Sequence, residues 1–137
     1  MIKDMTRSDE MMLSAIRLRV AMQMNGRDVT VEGDRVKVSL HGVPAMVVRF
    51  DSGDVRVNGM IQVSRKSAKV LNAVLRTYTD CTVASVEGCW VLQGISRYIL
   101  HKDKPHFSAI IRSVFRNSAP VIIPSEKSFL NNAIEHL

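Results

Sequence analysis

Between residues 29 and 58, short runs of alternating apolar and polar residues are separated by groups of turn-forming residues. Apolar side chains at every second position are typical of a β-strand with one buried face. Glycine beside Asp or Glu favours a tight turn that reverses the chain. The runs contain Val29 and Val31, then Val36, Val38 and Leu40, then Ala45 to Phe50, and then Val55 and Val57. The sequence therefore predicts a meander of four strands, with turns at Glu32-Gly33-Asp34, at His41-Gly42-Val43-Pro44 and at Asp51-Ser52-Gly53-Asp54.

Four other segments have the spacing of apolar residues that is typical of a helix. Residues 8 to 24 predict a helix that begins at Ser8, a residue type that caps helices, and stops at Asn25-Gly26. The other three helices are predicted over Ser64 to Tyr78, over Phe107 to Phe115, and after Ser125.

Residues 81 to 100 predict further strands after the second helix. Cys81 to Ser85 and Cys89 to Gln93 flank the turn-forming pair Glu87-Gly88, and residues 95 to 100 favour one more strand. A chain of 137 residues has the usual size of one domain. We therefore expect a single α+β domain over residues 1–137, with an antiparallel sheet of five to seven strands and three to four helices.

The composition is ordinary for a soluble globular chain, with 46% hydrophobic and 23% charged residues. No apolar run reaches the roughly 18 residues that a membrane span needs. Residues 1 to 6 lack the apolar core of a secretory signal. Two cysteines are too few for a disulfide framework. We therefore expect a cytoplasmic protein with no membrane partner.

The net positive charge of the chain is concentrated in residues 61 to 116, which carry nine Lys or Arg and three acids. This segment alone carries +6, which equals the net charge of the whole chain. A charge distribution of this kind favours an anionic partner more than evenly spread basic residues would.

The second predicted helix is the first candidate for contact with such a partner. Arg65, Lys69 and Arg76 are four and seven residues apart, so they share one side of the helix, with Lys66 beside them. Basic side chains in this arrangement bind phosphates and release condensed counterions. The first turn after Ser64 also offers unpaired backbone N–H groups to a phosphate. A solvated helix face accounts for the same pattern.

The second candidate is the segment from Arg97 to Arg116, in which Tyr98 could stack on unpaired bases. Phe107 lies on the apolar side of the predicted third helix, so a core position suits it better. A basic loop that keeps the protein soluble is the alternative reading. The residues predicted to contact a nucleic acid or another partner are Arg65, Lys66, Lys69, Arg76, Arg97, Tyr98, Lys102, Lys104, Arg112 and Arg116.

No metal site or catalytic constellation stands out. His101, Asp103 and His106 match no common ligand spacing. If Glu87-Gly88 forms a two-residue turn, Cys89 pairs with Val86, and Cys81 projects from the opposite face of the hairpin. Because the nucleophile and phosphate-loop motifs are also missing, we expect no catalytic residue, no metal and no cofactor.

Residues 41 to 92 carry a series of three motifs: His41-Gly42-Val43-Pro44 with the strand after it, Ser64 to Leu75 with Leu71-Asn72, and Glu87-Gly88-Cys89-Trp90. This series resembles small, uncharacterised accessory proteins of tailed bacteriophages. Met60-Ile61 stands where Gly-Trp is frequent in such proteins. The resemblance implies a phage-encoded protein in a bacterial cytoplasm, a setting where small proteins often block host enzymes or defence complexes.

The leading interpretation is a non-enzymatic, phage-type accessory protein that binds nucleic acid through its basic central segment. The alternative is an inhibitor of a host protein or ribonucleoprotein defence complex, of restriction or CRISPR type, on which the same positive residues meet an acidic or RNA-occupied groove. A small metal-dependent nuclease is a distant third possibility.

Overall fold

The computed structural model of the chain describes residues 6–59, 61–94, 97–100, 110–114 and 122–125. These residues form two helices and ten strands. In chain order the elements are α1 (Arg7–Leu18), β1 (Met22–Met24), β2 (Arg27–Glu32), β3 (Arg35–Leu40), β4 (Val43–Arg49), β5 (Asp54–Asn58), α2 (Arg65–Tyr78), β6 (Thr82–Val86), β7 (Cys89–Gln93), β8 (Arg97–Ile99), β9 (Ile110–Val114) and β10 (Ile122–Ser125).

The strands form two antiparallel sheets. The larger has seven strands in the order β1-β2-β3-β4-β5-β9-β10, and the smaller has three in the order β6-β7-β8. The four-strand meander predicted from the valine runs is confirmed as β2 to β5, in which each strand pairs with the next. The predicted α+β class with an antiparallel sheet is therefore confirmed.

Both helices lie on the same face of the seven-stranded sheet. Met12 and Ile16 of α1 and Leu71 and Leu75 of α2 are fully buried. They belong to one apolar cluster with the alternate sheet residues Val36, Val38, Met46, Val48, Val55 and Val57. Because side chains alternate along a strand, the residues between these valines lie on the other face of the sheet.

The second helix and the second hairpin are confirmed. Ser64 caps α2, as predicted, and Glu87-Gly88 forms the turn between β6 and β7 with φ angles of 51° and 79°. Val86 pairs with Cys89, and β8 is the further strand expected within residues 95 to 100. Cys81 is buried and Cys89 is exposed, which agrees with their predicted positions on opposite faces of the hairpin.

The predicted first helix over residues 8 to 24 is wrong at both ends. Thr6 is the N-cap instead of Ser8, because the backbone N–H of Asp9 donates to Thr6 Oγ1 at 3.1 Å. The helix ends at Leu18, and Arg19 adopts the left-handed conformation with φ 55°. Asn25-Gly26 does not stop a helix. These two residues, with φ 50° and 78°, form the turn between β1 and β2.

The predicted third helix over Phe107 to Phe115 is also wrong where the structure describes it. Residues 110–114 form β9, which lies between β5 and β10 in the sheet. Ile110, Ile111 and Val114 are β-branched and favour a strand, although their spacing also fits a helix. Ser125 belongs to β10, and the predicted last helix after it lies outside the described residues.

Neither α1 nor α2 has the length and apolar character needed to cross a bilayer, and the described part of the chain contains no other helix.

Candidate functional site

Helix α2 separates its basic residues from its apolar ones. It contains Arg65, Lys66, Lys69 and Arg76, all exposed, and its 14 residues include no Asp or Glu. The opposite side, with Leu71 at its centre, is buried in the core. The sequence-predicted division of this helix into a basic and an apolar side is therefore confirmed.

The N-terminal end of α2 combines a capping box with unpaired donors. The backbone N–H of Ser67 donates to Ser64 Oγ at 3.2 Å, and that of Ser64 donates to Ser67 Oγ at 2.7 Å. Arg65 and Lys66 occupy the first two helical positions, where a backbone N–H has no acceptor within the helix. The first turn holds no acid. The positive end of the helix dipole therefore has no carboxylate of its own helix beside it.

A cleft of about 520 Å³ opens beside this end of the helix. Helix α2 forms one side, and the turns that connect β1 to β2 and β3 to β4 form the other. The described lining residues are Thr6, Asp9, Asn25, Gly26, Arg27, Leu40, His41, Ser64, Lys66, Ser67, Lys69 and Val70. Two of the predicted contact residues, Lys66 and Lys69, thus share one cleft with the imidazole of His41.

The wall opposite α2 is held together by a close approach of its two turns. The backbone N–H of His41 donates to the Gly26 carbonyl at 2.7 Å. The His41 ring lies so near Gly26 that a Cβ atom at that position would be 2.6 Å from Nδ1. Gly26 also has φ 78°, which side chains disfavour. His41 is consequently placed on the cleft by the backbone of both turns.

One carboxylate, that of Asp9, occurs among the described residues that line the cleft, and it is already paired. Arg27 Nε donates to Asp9 Oδ1 at 2.8 Å, and only 5% of the Asp9 side chain is exposed. Since this ion pair is nearly enclosed, Asp9 is committed to Arg27. Lys66 and Lys69 therefore keep their positive charge available to a ligand.

The other predicted contact residues that the structure describes do not line the cleft. Arg76 is in the last turn of α2, about 16 Å along the helix axis from Arg65. Arg97 and Tyr98 are in β8 of the small sheet, which adjoins α2 through β6. Arg112 lies in β9 of the large sheet, opposite Arg56 of β5, and not on a helix as predicted. Lys102, Lys104 and Arg116 lie outside the described residues.

Two cleft residues, His41 and Arg27, were not predicted from the sequence. His41-Gly42 was interpreted only as an interruption of the strand pattern. His41 and Gly42 have positive φ angles, 50° and 80°, as expected for a two-residue hairpin turn between β3 and β4. Recognition of that turn, and of the Asn25-Gly26 turn, is the signal that would have placed these two loops side by side at the ends of adjacent hairpins.

Within the described ranges, no three His, Cys, Asp or Glu side chains come close enough to hold a metal ion. His101, Asp103 and His106, the residues considered for a metal from the sequence, lie outside those ranges.

Comparison with known proteins gave no match to a family model, to a curated protein or to a solved structure. The resemblance of residues 41 to 92 to bacteriophage accessory proteins therefore stays a prediction from its motifs.

Proposed function

We propose that this protein binds the phosphate backbone of a nucleic acid through helix α2 and the cleft at its N-terminal end, and that it catalyses no reaction. The observation that carries the proposal is the charge of α2, which presents four exposed basic residues and no acid. Phosphate groups dominate the affinity of nucleic acids for basic surfaces of this kind.

The cleft supplies the geometry for one phosphate. The oxygens of this phosphate can accept hydrogen bonds from the backbone N–H groups of Arg65 and Lys66 and from the ammonium group of Lys69. Arg65 and Arg76 extend the basic side over about 16 Å, the axial length of about five phosphates on one strand. Contacts of this type are made with the backbone, so we expect little sequence preference. Tyr98, in the neighbouring small sheet, is proposed to stack on an unpaired base.

A salt titration tests this function. Fluorescence anisotropy of a labelled DNA or RNA oligomer is expected to show binding at low salt, with the logarithm of the affinity falling by about 3 per log unit of salt for four phosphate contacts. Absence of binding at low salt, or a slope below about 1, would contradict the proposal. Magnesium is added in a parallel sample, in which we expect the oligomer to stay intact. Its degradation would instead support the nuclease interpretation.

A protein partner is the second candidate, and one observation favours it. Met11 and Leu18 are 41% and 60% exposed, and because they are seven residues apart they lie on the same side of α1. Val20, just after the helix, is 54% exposed. Exposed apolar residues that cluster are typical of protein interfaces. This candidate predicts no oligomer binding at low salt, together with co-purification of a host protein that Leu18→Glu prevents.

A further inference from the structure

The cleft at the start of α2 is much larger than the phosphate group that we place in it. Its volume of about 520 Å³ lies within the range of about 300–1,000 Å³ that is typical of pockets for small organic molecules. A single phosphate group fills only a small part of that space. The rest of the lining is therefore available to other parts of the same ligand.

The lining of the cleft is mainly apolar. Leu40, at the end of β3, and Val70, in α2, are only 7% and 6% exposed, and both border the cleft. The exposed residue His41 borders it as well, with its ring held against Gly26. Apolar side chains beside an accessible imidazole ring suit a nucleobase, because a base binds proteins through its flat faces.

The charged groups of the lining match a phosphate that has two negative charges. Lys66 and Lys69 are exposed and supply two positive charges, while Asp9 and Arg27 neutralise each other. A phosphate inside a strand is a diester with a single negative charge. A terminal phosphate is a monoester, which carries a charge of about −1.5 to −2 at pH 7. The described lining is therefore complementary in charge to a monoester.

We propose that the cleft binds a nucleotide that carries a terminal phosphate. The phosphate contacts Lys66 and Lys69. The base lies on Leu40 and Val70, beside the ring of His41. This assignment rests on the proposed function, because its phosphate is the one placed at the start of α2. The ligand is either the phosphorylated end of a strand or a free nucleotide.

Oligomers of one sequence with different ends test the first source. They carry an internal fluorophore and a 5′-phosphate, a 3′-phosphate or two hydroxyl ends. We expect one of the phosphorylated oligomers to bind about 10-fold more tightly than the hydroxyl-ended one, since a hydrogen bond to a charged group has at least that effect. Binding of the hydroxyl-ended oligomer reports the proposed function, and the gain from the terminal phosphate reports the nucleotide site, so the two can fail separately.

Calorimetric titration of the natural chain tests the second source. The probes are the common nucleoside 5′- and 3′-monophosphates, each titrated separately, and inorganic phosphate. A monophosphate that binds at least 10-fold more tightly than inorganic phosphate supports a site for a free nucleotide. A gain in the oligomer experiment without nucleotide binding supports a site for the end of a strand. If neither preference is observed, the proposal is overturned.

His41→Asn tests the position of the base. Asn tolerates the φ of 50° at this position, but it lacks the ring. We expect the affinity for the preferred probe, oligomer or nucleotide, to fall by about 5-fold or more, as loss of base stacking predicts. Glu87→Asn is the matched control, because Glu87 has φ 51° in a similar turn outside the cleft. This control should bind the preferred probe at least as tightly as the natural chain does.

Equal affinities of the natural chain and His41→Asn would overturn the proposal. If His41→Asn does not fold, Lys69→Gln replaces it, since Lys69 is exposed. That variant should bind the preferred probe about 10-fold more weakly, and an unchanged affinity would equally overturn the proposal.

Discussion

Lys69→Glu is expected to weaken oligomer binding by roughly 30-fold or more at low salt, because it replaces an attraction of about 1 kcal/mol with a repulsion of similar size. Lys69 is exposed and lines the cleft at the start of α2, next to the helix end that we propose holds a phosphate. Fluorescence anisotropy with the oligomer used for the salt titration measures the loss. The salt slope should also fall by about 1, the contribution of one phosphate contact.

The matched control for this charge reversal is Arg7→Glu. It changes the net charge by the same amount, at an exposed position in the first turn of α1, where an acid is favourable to the helix dipole. We expect Arg7→Glu to weaken binding only through the general charge of the protein, by a few-fold. Equal losses in the two variants would show that binding follows net charge and that α2 has no special part in it.

Asn72→Ala is expected to lower the free energy of unfolding by about 2–4 kcal/mol, since it leaves two backbone groups without partners. Asn72 Nδ2 donates to the Val83 carbonyl at 2.9 Å, and the Val83 N–H donates to Asn72 Oδ1 at 2.6 Å. The side chain thus binds β6 as a neighbouring strand would. Val83 is buried, so water does not readily replace these bonds. Urea denaturation followed by circular dichroism measures the change.

Thr77→Ala provides the control on the same helix. The Thr77 hydroxyl donates to the Ala73 carbonyl at 2.7 Å, within α2, and the side chain is exposed. Its loss leaves no buried group unpaired, so a change within about 0.5 kcal/mol is expected. Comparable losses in the two variants would mean that Asn72 acts only through the helix. The anchoring also bears on function, because it holds the small sheet, with Arg97 and Tyr98, beside α2.

The strands of the meander could be predicted because their signals are local. Valines at alternate positions favour a strand and specify the face that packs on the helices, and each glycine turn specifies a reversal. The prediction that Asn25-Gly26 ends the first helix was wrong for a local reason. The left-handed conformation that ends a helix is also the conformation of a hairpin turn. Met22 to Met24, which fit either element, form β1, which pairs with β2 across that turn.

Residues 110 to 114 could not be assigned locally. Their apolar spacing suits a helix and their β-branched side chains suit a strand. The choice is decided by pairing with β5, which is more than 50 residues away along the chain. A pairing between segments so distant in sequence produces no periodic pattern within either segment, so it cannot be predicted from local sequence.

The candidate site likewise has one part that local sequence predicts and one part that depends on tertiary structure. The basic side of α2 could be predicted, since it depends only on helical periodicity and on the apolar residues opposite. The cleft could not, because His41 and Arg27 reach it from turns of the sheet.

The central claim is that nucleic-acid phosphates contact the N-terminal half of α2. Amide chemical shifts of the ¹⁵N-labelled chain, recorded while an unlabelled oligomer is added, test it at residue resolution. We expect the largest changes at Arg65, Lys66, Ser67 and Lys69, with a smaller change at His41 across the cleft. Unchanged signals from these residues, while those of Met11 and Leu18 on α1 move, would contradict the account.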